Sequence, residues 1–326
     1  MDYIKRELKN LYFLYESVIL FFFNSNYRGY TKYKALLQSL KIETDEFVIL
    51  SSTGIGDMYL KLILINGLKE TLKTQKISVG YSKEKHKHII NFFSQHIYRT
   101  YYLQADDMKI LSKYSTAPTL GSASHPFFVI NNFESIGYKD FTFIDLIKMQ
   151  LNIPLYFKEY LLPVQNVEIV NRINIYLDSL GLEKNKTVLI SPKAVSFKNI
   201  ASDFWTELIT VLLSLNYKIL VSDDERYVEN NHVIYLNFPL EESIAICDYC
   251  GFFIGYRSGL CDLISTSTAK KIIIYPENPT GITDYLEGFS LSKMGLDVEN
   301  NTYELIYKDS DTESVIKKII TQLTNK

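Results

Sequence analysis

Cysteine is scarce in this chain: Cys247, Cys250 and Cys261 are the three among 326 residues. Three cannot build a disulfide framework, and so low a number suits a reducing compartment. Cys247-x-x-Cys250 has no second ligand pair to complete a zinc site, and it falls in the tail of an apolar helical pattern. Histidine is thin as well, with five scattered residues, and His86 and His88 sit in a Lys-rich run that reads as a solvated face. Neither sign of charge is in excess. A formal net charge of −2 lacks the basic footprint of a general nucleic-acid binder, so no nucleic-acid partner is expected. Long apolar runs are missing too: Leu11 to Phe23 is too short to span a bilayer and is interrupted by Glu16 and Ser17. No cleavable signal pattern, internal repeat or low-complexity tract is visible.

What is there describes a soluble globular protein, 47% apolar and 22% charged. A chain of this length has room for two domains, each burying its own core. Aromatics are abundant, with 25 Tyr and 19 Phe against one Trp. Tyrosine suits carbohydrate grooves, although a general compositional bias explains the load equally well. Residues 3–23 carry Ile4, Leu8, Leu11, Tyr15, Val18 and Phe22 at helical spacing. Residues 1–41 hold seven Lys and Arg against three acids, a net of +4. A basic, aromatic amphipathic helix of this kind can lie on an anionic membrane surface, or it can pack on the first domain.

From Glu46 onward strands and helices alternate. Strands are expected at 47–50, 76–81, 98–103 and 127–130, with helices at 57–72, 84–96 and about 143–151. The pattern loosens between Pro154 and Pro163, and a helix from Val167 ends at Gly181. Alternation then resumes with strands at 187–191, 217–222, 232–236, 251–255 and 271–275. Helices at 202–215, 240–249, 259–267 and 312–323 accompany them. Interleaving of this kind implies parallel, doubly wound sheets. The expected architecture is α/β, two Rossmann-like doubly wound domains facing a central cleft. Residues 1–45 form a helical extension, 46–160 the first Rossmann-like domain and 161–326 the second.

Phe47 to Leu50 reads as a buried strand running through Ser51-Ser52-Thr53-Gly54-Ile55-Gly56-Asp57 into a helix. Such a turn exposes backbone N–H groups to a ligand, and Asp57 sits where the helix starts, as base or as cap. A dinucleotide fingerprint fails here. Tyr59 occupies the third glycine position, and no acid follows the strand near Lys76 to Tyr81. Ser51-Ser52-x-Gly54-x-Gly56-Asp57 resembles the N-terminal motif of the heptosyltransferase-like glycosyltransferases, family 9. The resemblance implies the GT-B architecture, with 46–160 as the acceptor domain and 161–326 as the nucleotide-sugar domain. It also implies that Asp57 is the base that activates the acceptor, with Gly54 and Gly56 on the acceptor-side loop. His125, in the loop Ser122 to Pro126, is a further residue for that crevice.

A second match lies some 200 residues later. Val188-Leu189-Ile190-Ser191-Pro192-Lys193 runs through Ser196-Phe197-Lys198-Asn199 into a helix carrying Phe204 and Trp205. This is similar to the family's second-domain opening, whose Lys meets the donor. Lys198 is the direct counterpart and Lys193 the reserve, and a Lys there would stabilise the departing diphosphate. Phe252 to Gly255 then leads into Tyr256-Arg257-Ser258-Gly259-Leu260-Cys261-Asp262. The family carries Asp-Thr-Gly-x-x-His at this point. Ser258 and Gly259 fit the Thr-Gly, whereas Arg257 replaces the acid and Asp262 the His. The exchange suggests a guanidinium that clamps the diphosphate and a carboxylate for sugar hydroxyls, and a heptose donor does not carry over. The Ile272 to Pro276 strand and the Asn278-Pro279-Thr280-Gly281 loop follow the family's order loosely.

The expectation is an inverting, metal-independent glycosyltransferase that needs no cofactor beyond its nucleotide-sugar co-substrate. Asp106-Asp107 and Asp223-Asp224, at two of the chain reversals, are adjacent pairs and lack Asp-x-Asp spacing. The acceptor would be a glycan or lipid-linked glycan, met in the cytoplasm or at the inner membrane face, with residues 3–23 touching the membrane. Rival readings are a GT-B-fold nucleotide-sugar epimerase, a methyltransferase on the Gly54-Ile55-Gly56 loop, and a non-catalytic carbohydrate- or partner-binding subunit.

Overall fold

The computed structural model describes residues 28–51, 54–114, 141–195, 199–277 and 285–324. Residues 3–23, His125, the strand at 127–130, Lys198 and the 278–281 loop lie outside them. Among the described residues two parallel sheets form. The first has the order β1 (Glu46–Ser51), β2 (Lys76–Tyr81), β3 (Thr100–Tyr102), and the second the order β6-β5-β4-β7-β8-β9. In the second sheet β4 is Thr187–Ser191, β5 Lys218–Val221, β6 Val233–Tyr235, β7 Gly251–Tyr256, β8 Lys270–Pro276 and β9 Thr302–Tyr307.

Every residue of β1 is buried, as a parallel strand covered on both faces should be. Register pairs Ile49 with Val79 and Ser51 with Tyr81. One face carries the Ile55–Leu62, Ile65–Leu72 and Phe143–Gln150 helices. The other is covered by a helix over 28–40 and by Ala105–Tyr114, whose Tyr33, Met108 and Leu111 pack on Val48 and Leu50. The tail of the N-terminal segment is thus part of this layer. The helix expected over 57–72 is broken at Ile63–Leu64. There the Ile63 carbonyl accepts from Leu161 N–H at 2.9 Å, on the connector between the sheets. That connector packs so closely on Gly67 that a Cβ there would stand 2.9 Å from Ile153.

The second sheet alternates in the same way. Leu189, Leu220, Phe253 and Ile273 face the Val167–Ser179 and Ser243–Cys250 helices. Val188, Ile190, Ile219, Ile254 and Ile272 face Ser202–Ser214 and Thr312–Thr324. β9 has no counterpart in the sequence reading; it pairs parallel with β8 from Thr302 to Tyr307. Its Glu304 accepts from Tyr275 Oη, Ser290 Oγ and Leu291 N–H, which keeps a carboxylate tolerable inside. The three cysteines are free and buried. His86 is fully buried, contrary to the solvated face expected for it, because it shares one helical face with Ile89, Ile90 and Phe93. His88 Nδ1 lies 3.0 Å from Glu241 Oε2, joining the two sheets' layers.

One apolar cluster runs unbroken from Ile49, Met58 and Tyr59 to Leu189, Ile244 and Phe253. The two sheets are therefore parts of one packed body. No described helix is long and apolar enough to cross a membrane.

Candidate active site

In a parallel sheet, ligands collect beyond the C-terminal strand ends, at the point where strand order reverses direction. The order β6-β5-β4-β7-β8-β9 is the 3-2-1-4-5-6 arrangement, and its reversal falls between β4 and β7. Lys193 follows β4 by two residues, and the Arg257-Ser258-Gly259 turn follows β7 directly. Both donor-side segments named by the sequence therefore open on the same crevice.

Lys193 is half-exposed, and its Nζ lies 2.9 Å from Asp223 Oδ1 and 3.1 Å from Glu225 Oε2. Hydrogen bonding to Asp223 is the main reason its proton affinity rises. Burial alone would push the Asp223 carboxyl up, yet bonds from Tyr227 Oη and Lys193 outweigh it and bring it below the usual range. Asp223 stands two residues past β5, the second strand of the arrangement. Rossmann folds place there the acid that holds a ribose. Sequence reading weighed Asp223 only as half of an Asp-Asp pair. An acid just past the second strand of the second α/β half was the available signal.

Arg257 and Asp262 are brought together, both almost fully buried. Arg257 Nη2 donates to Asp262 Oδ1 at 2.6 Å and Nη1 to Oδ2 at 3.1 Å. Nη1 also donates to the Ser258 carbonyl at 2.7 Å, and Nε to the Phe289 carbonyl at 3.3 Å. The guanidinium that the sequence offers to a diphosphate is engaged here by protein groups on three sides. Asp262, offered to sugar hydroxyls, spends both oxygens on that guanidinium. Burial is the strongest influence on Asp262 and raises its proton affinity, Arg257 pulls it down, and Asp57 adds to the rise. The helix behind the turn is Gly259–Leu263 followed by a 3-10 turn, shorter than the expected 259–267. Ser258 is its N-cap residue and is partly exposed.

Asp57 reaches this region from the first sheet. It occupies the third position of the Ile55–Leu62 helix, half-buried, and its Oδ2 accepts from Gly54 N–H at 2.8 Å. One oxygen thus performs the capping that Asp favours at a helix start. The Ile55–Leu62 and Gly259–Leu263 helices meet at two glycines. A Cβ on Gly56 would stand 2.3 Å from Asp262 Oδ2, and one on Gly259 would stand 2.5 Å from Gly56 N. Glycine at 56 and 259 is required by this approach of backbones. Gly54 is exposed, in ordinary extended conformation. Beneath Asp57, Lys61 is 1% exposed and donates to the Leu50 carbonyl at 3.2 Å. Burial depresses its proton affinity to about 8, with Asp57 acting against the fall. Among the described residues no group of three or more His, Cys, Asp or Glu is placed to hold a metal ion.

No family model and no curated protein matches the sequence. Solved structures do match the fold. A glycosyl transferase family 9 protein from Veillonella parvula superposes with TM-score 0.59 at 12% identity, over 86% of this chain and 98% of that one. The E. coli ADP-heptose LPS heptosyltransferase II superposes with TM-score 0.54 at 9% identity, over 85% and 98%. The resemblance first carried by Gly56-Asp57 and Ser258-Gly259 extends to the architecture of the chain, which has the α/β GT-B fold seen in family 9 glycosyltransferases.

Proposed function

We propose that this chain is an inverting glycosyltransferase that moves a sugar from a nucleotide-diphosphate donor to a glycan, glycolipid or glycoprotein acceptor. One observation carries the reading. The switch point of the second sheet, with Lys193 and Asp223 at its mouth, faces Asp57 across the Gly56–Gly259 contact. Asp57 takes the proton of the acceptor hydroxyl, whose oxygen attacks the anomeric carbon as the C–O bond to the nucleotide diphosphate breaks. Lys193 meets the diphosphate and offsets its developing charge, a role for which Lys198 is the family's direct counterpart by sequence order. Asp223 holds the ribose. Arg257, paired with Asp262, acts one step back by fixing the Ser258-Gly259 turn. A cytoplasmic setting at the inner membrane face, in surface polysaccharide assembly, suits the basic N-terminal stretch over 1–41.

The test begins with thermal shift of the purified chain against ADP, UDP, GDP and CMP. ADP leads the panel because the E. coli neighbour is an ADP-heptose enzyme. S-adenosylmethionine serves as the contrasting ligand. A nucleotide diphosphate should raise Tm, and silence across the panel would favour a non-catalytic binding subunit. With a donor in hand, Asp57→Asn should cut kcat by on the order of 10²–10⁴, the usual contribution of a general base. Its stability should change by no more than about 1 kcal/mol, because an amide oxygen still accepts from Gly54 N–H. Sugar transfer by the Asn variant at near wild-type rate would reduce Asp57 to a cap.

A further inference from the structure

Lysine is almost never fully buried without a reason. Lys61 is among the largest fully buried side chains of this protein, and it lies four residues beyond Asp57 on the same helix. Side chains at that spacing share a helical face, and a helical side chain leans back toward the N-terminus of its helix. The Lys61 stem therefore passes under the turn that begins at Asp57, and its Nζ reaches the Leu50 carbonyl near the end of β1 at 3.2 Å. Leu50, whose carbonyl it meets, and Leu60 and Leu62, which flank it in the chain, are buried and apolar. The ammonium joins the strand end to the helix start and leaves a positive charge beneath the carboxylate.

We propose that Lys61 is the positioning residue of the active site, holding Asp57 ionised and fixing its helix against the end of β1. The proposal rests on the reading of Asp57 as base, and it assigns a role to a residue that neither motif includes. Other charges also face Asp57. Lys83, from the loop after β2, is exposed and feels its field. Asp262, from the opposing helix, opposes its ionisation, and Arg257 neutralises Asp262 across a bidentate contact. Lys61 is distinguished by being buried. Its charge is not screened by water, so its effect on a carboxylate one turn away exceeds that of an exposed lysine. Burial also brings the Lys61 ammonium to about 8, against the pull of Asp57, so the two groups titrate as a linked pair.

Linkage is reciprocal, which provides two readouts on the full-length protein without substrate. The first follows the Lys61 side chain by NMR, with ¹³C-labelled lysine assigned by Lys61→Met. In Asp57→Asn, which keeps a capping oxygen at the helix start, the Lys61 midpoint should fall by about one unit, a tenfold weaker hold on its proton. The second follows the Asp57 carboxyl carbon, which should titrate about tenfold less acidic in Lys61→Met. In turnover, the acid limb of kcat/KM should move up in Lys61→Met and return toward wild type in Lys61→Arg, which restores the charge. A structural lysine alone would lower kcat without moving that limb. An unchanged Lys61 midpoint in Asp57→Asn overturns the inference even if Lys61→Met cannot be prepared. Coupling present with an inactive Asp57→Asn supports it. An inactive Asp57→Asn without coupling sinks the positioning role and leaves the base reading standing. A fully active Asp57→Asn removes the base and, with it, the role of Lys61.

Discussion

At the scale of single residues, the burial of charge organises this molecule. Arg257 and Asp262 exclude water from each other, so removing one member strands the other in a low-dielectric site. Arg257→Ala should therefore destabilise the fold by about 3–5 kcal/mol in urea denaturation. A variant as stable as wild type, with weakened nucleotide binding, would return Arg257 to the donor. Lys61 makes a pH-dependent contribution of opposite character. Its folded value, about 8, lies below the ordinary lysine value of 10.5, so above pH 8 the unfolded chain holds more protons there than the folded one. Stability from this group is least below pH 8 and rises as pH climbs toward 10.5, with a slope of up to about 1.4 kcal/mol per unit. Subtracting a Lys61→Met stability profile from that of wild type should show this rise between pH 8 and 10. A flat difference would mean that the ammonium is well solvated.

At the scale of elements, helices meet across the two sheets only because glycine stands at 56 and 259. Gly259→Ala would drive a methyl into the Gly56 backbone, which cannot swing aside as a side chain could. The expected cost is about 1–3 kcal/mol of stability, with turnover falling further because both displaced turns line the site. Gly288→Ala is the matched control. Among the described residues its Cβ meets nothing within 4 Å, and a helical Ala for Gly is worth roughly 0.5–1 kcal/mol in the favourable direction. Equal behaviour of the two variants in denaturation would show that the helices are not in register at this contact. Short apolar runs such as Val188-Leu189-Ile190 and Ile272-Ile273-Ile274 announce their strands because both faces of a parallel sheet are covered. β9 escapes that rule. Thr302-Tyr303-Glu304-Leu305 mixes polar and apolar residues at a sheet edge, and Glu304 is accommodated by donors from Tyr275, Ser290 and Leu291.

At the scale of the whole molecule, the placement of charge beside the crevice bears on metal use. In the proposed reaction Lys193 meets the leaving group and Asp57 is the base, which would ask for no Lewis acid. Turnover should survive EDTA. Activity lost to chelation and recovered with Mn²⁺ or Mg²⁺ would overturn the metal-independent reading. The continuous apolar cluster between the sheets also bears on function, since any opening of the crevice must part Gly56 from Gly259 and expose apolar surface.

The sequence alone determined the α/β order, most strand positions and the two turns that carry the family resemblance. These depend on local information: periodicity, strand-length apolar runs and small residues at chain reversals. Tertiary structure decided what each charged residue faces. Arg257 and Asp262 are five positions apart, and nothing in that spacing tells whether the guanidinium meets a ligand or its own neighbour. His86 shows the same limit. Its spacing to Ile89, Ile90 and Phe93 was legible as a buried face, but Lys85 and Lys87 on either side disguised it. Nothing in the local sequence marks Lys61 as buried, and its burial and its contact with the Leu50 carbonyl appear only in the folded chain. Local pattern sets which elements form; the partner of a long polar side chain is chosen by desolvation, which exists only once distant elements have closed around it.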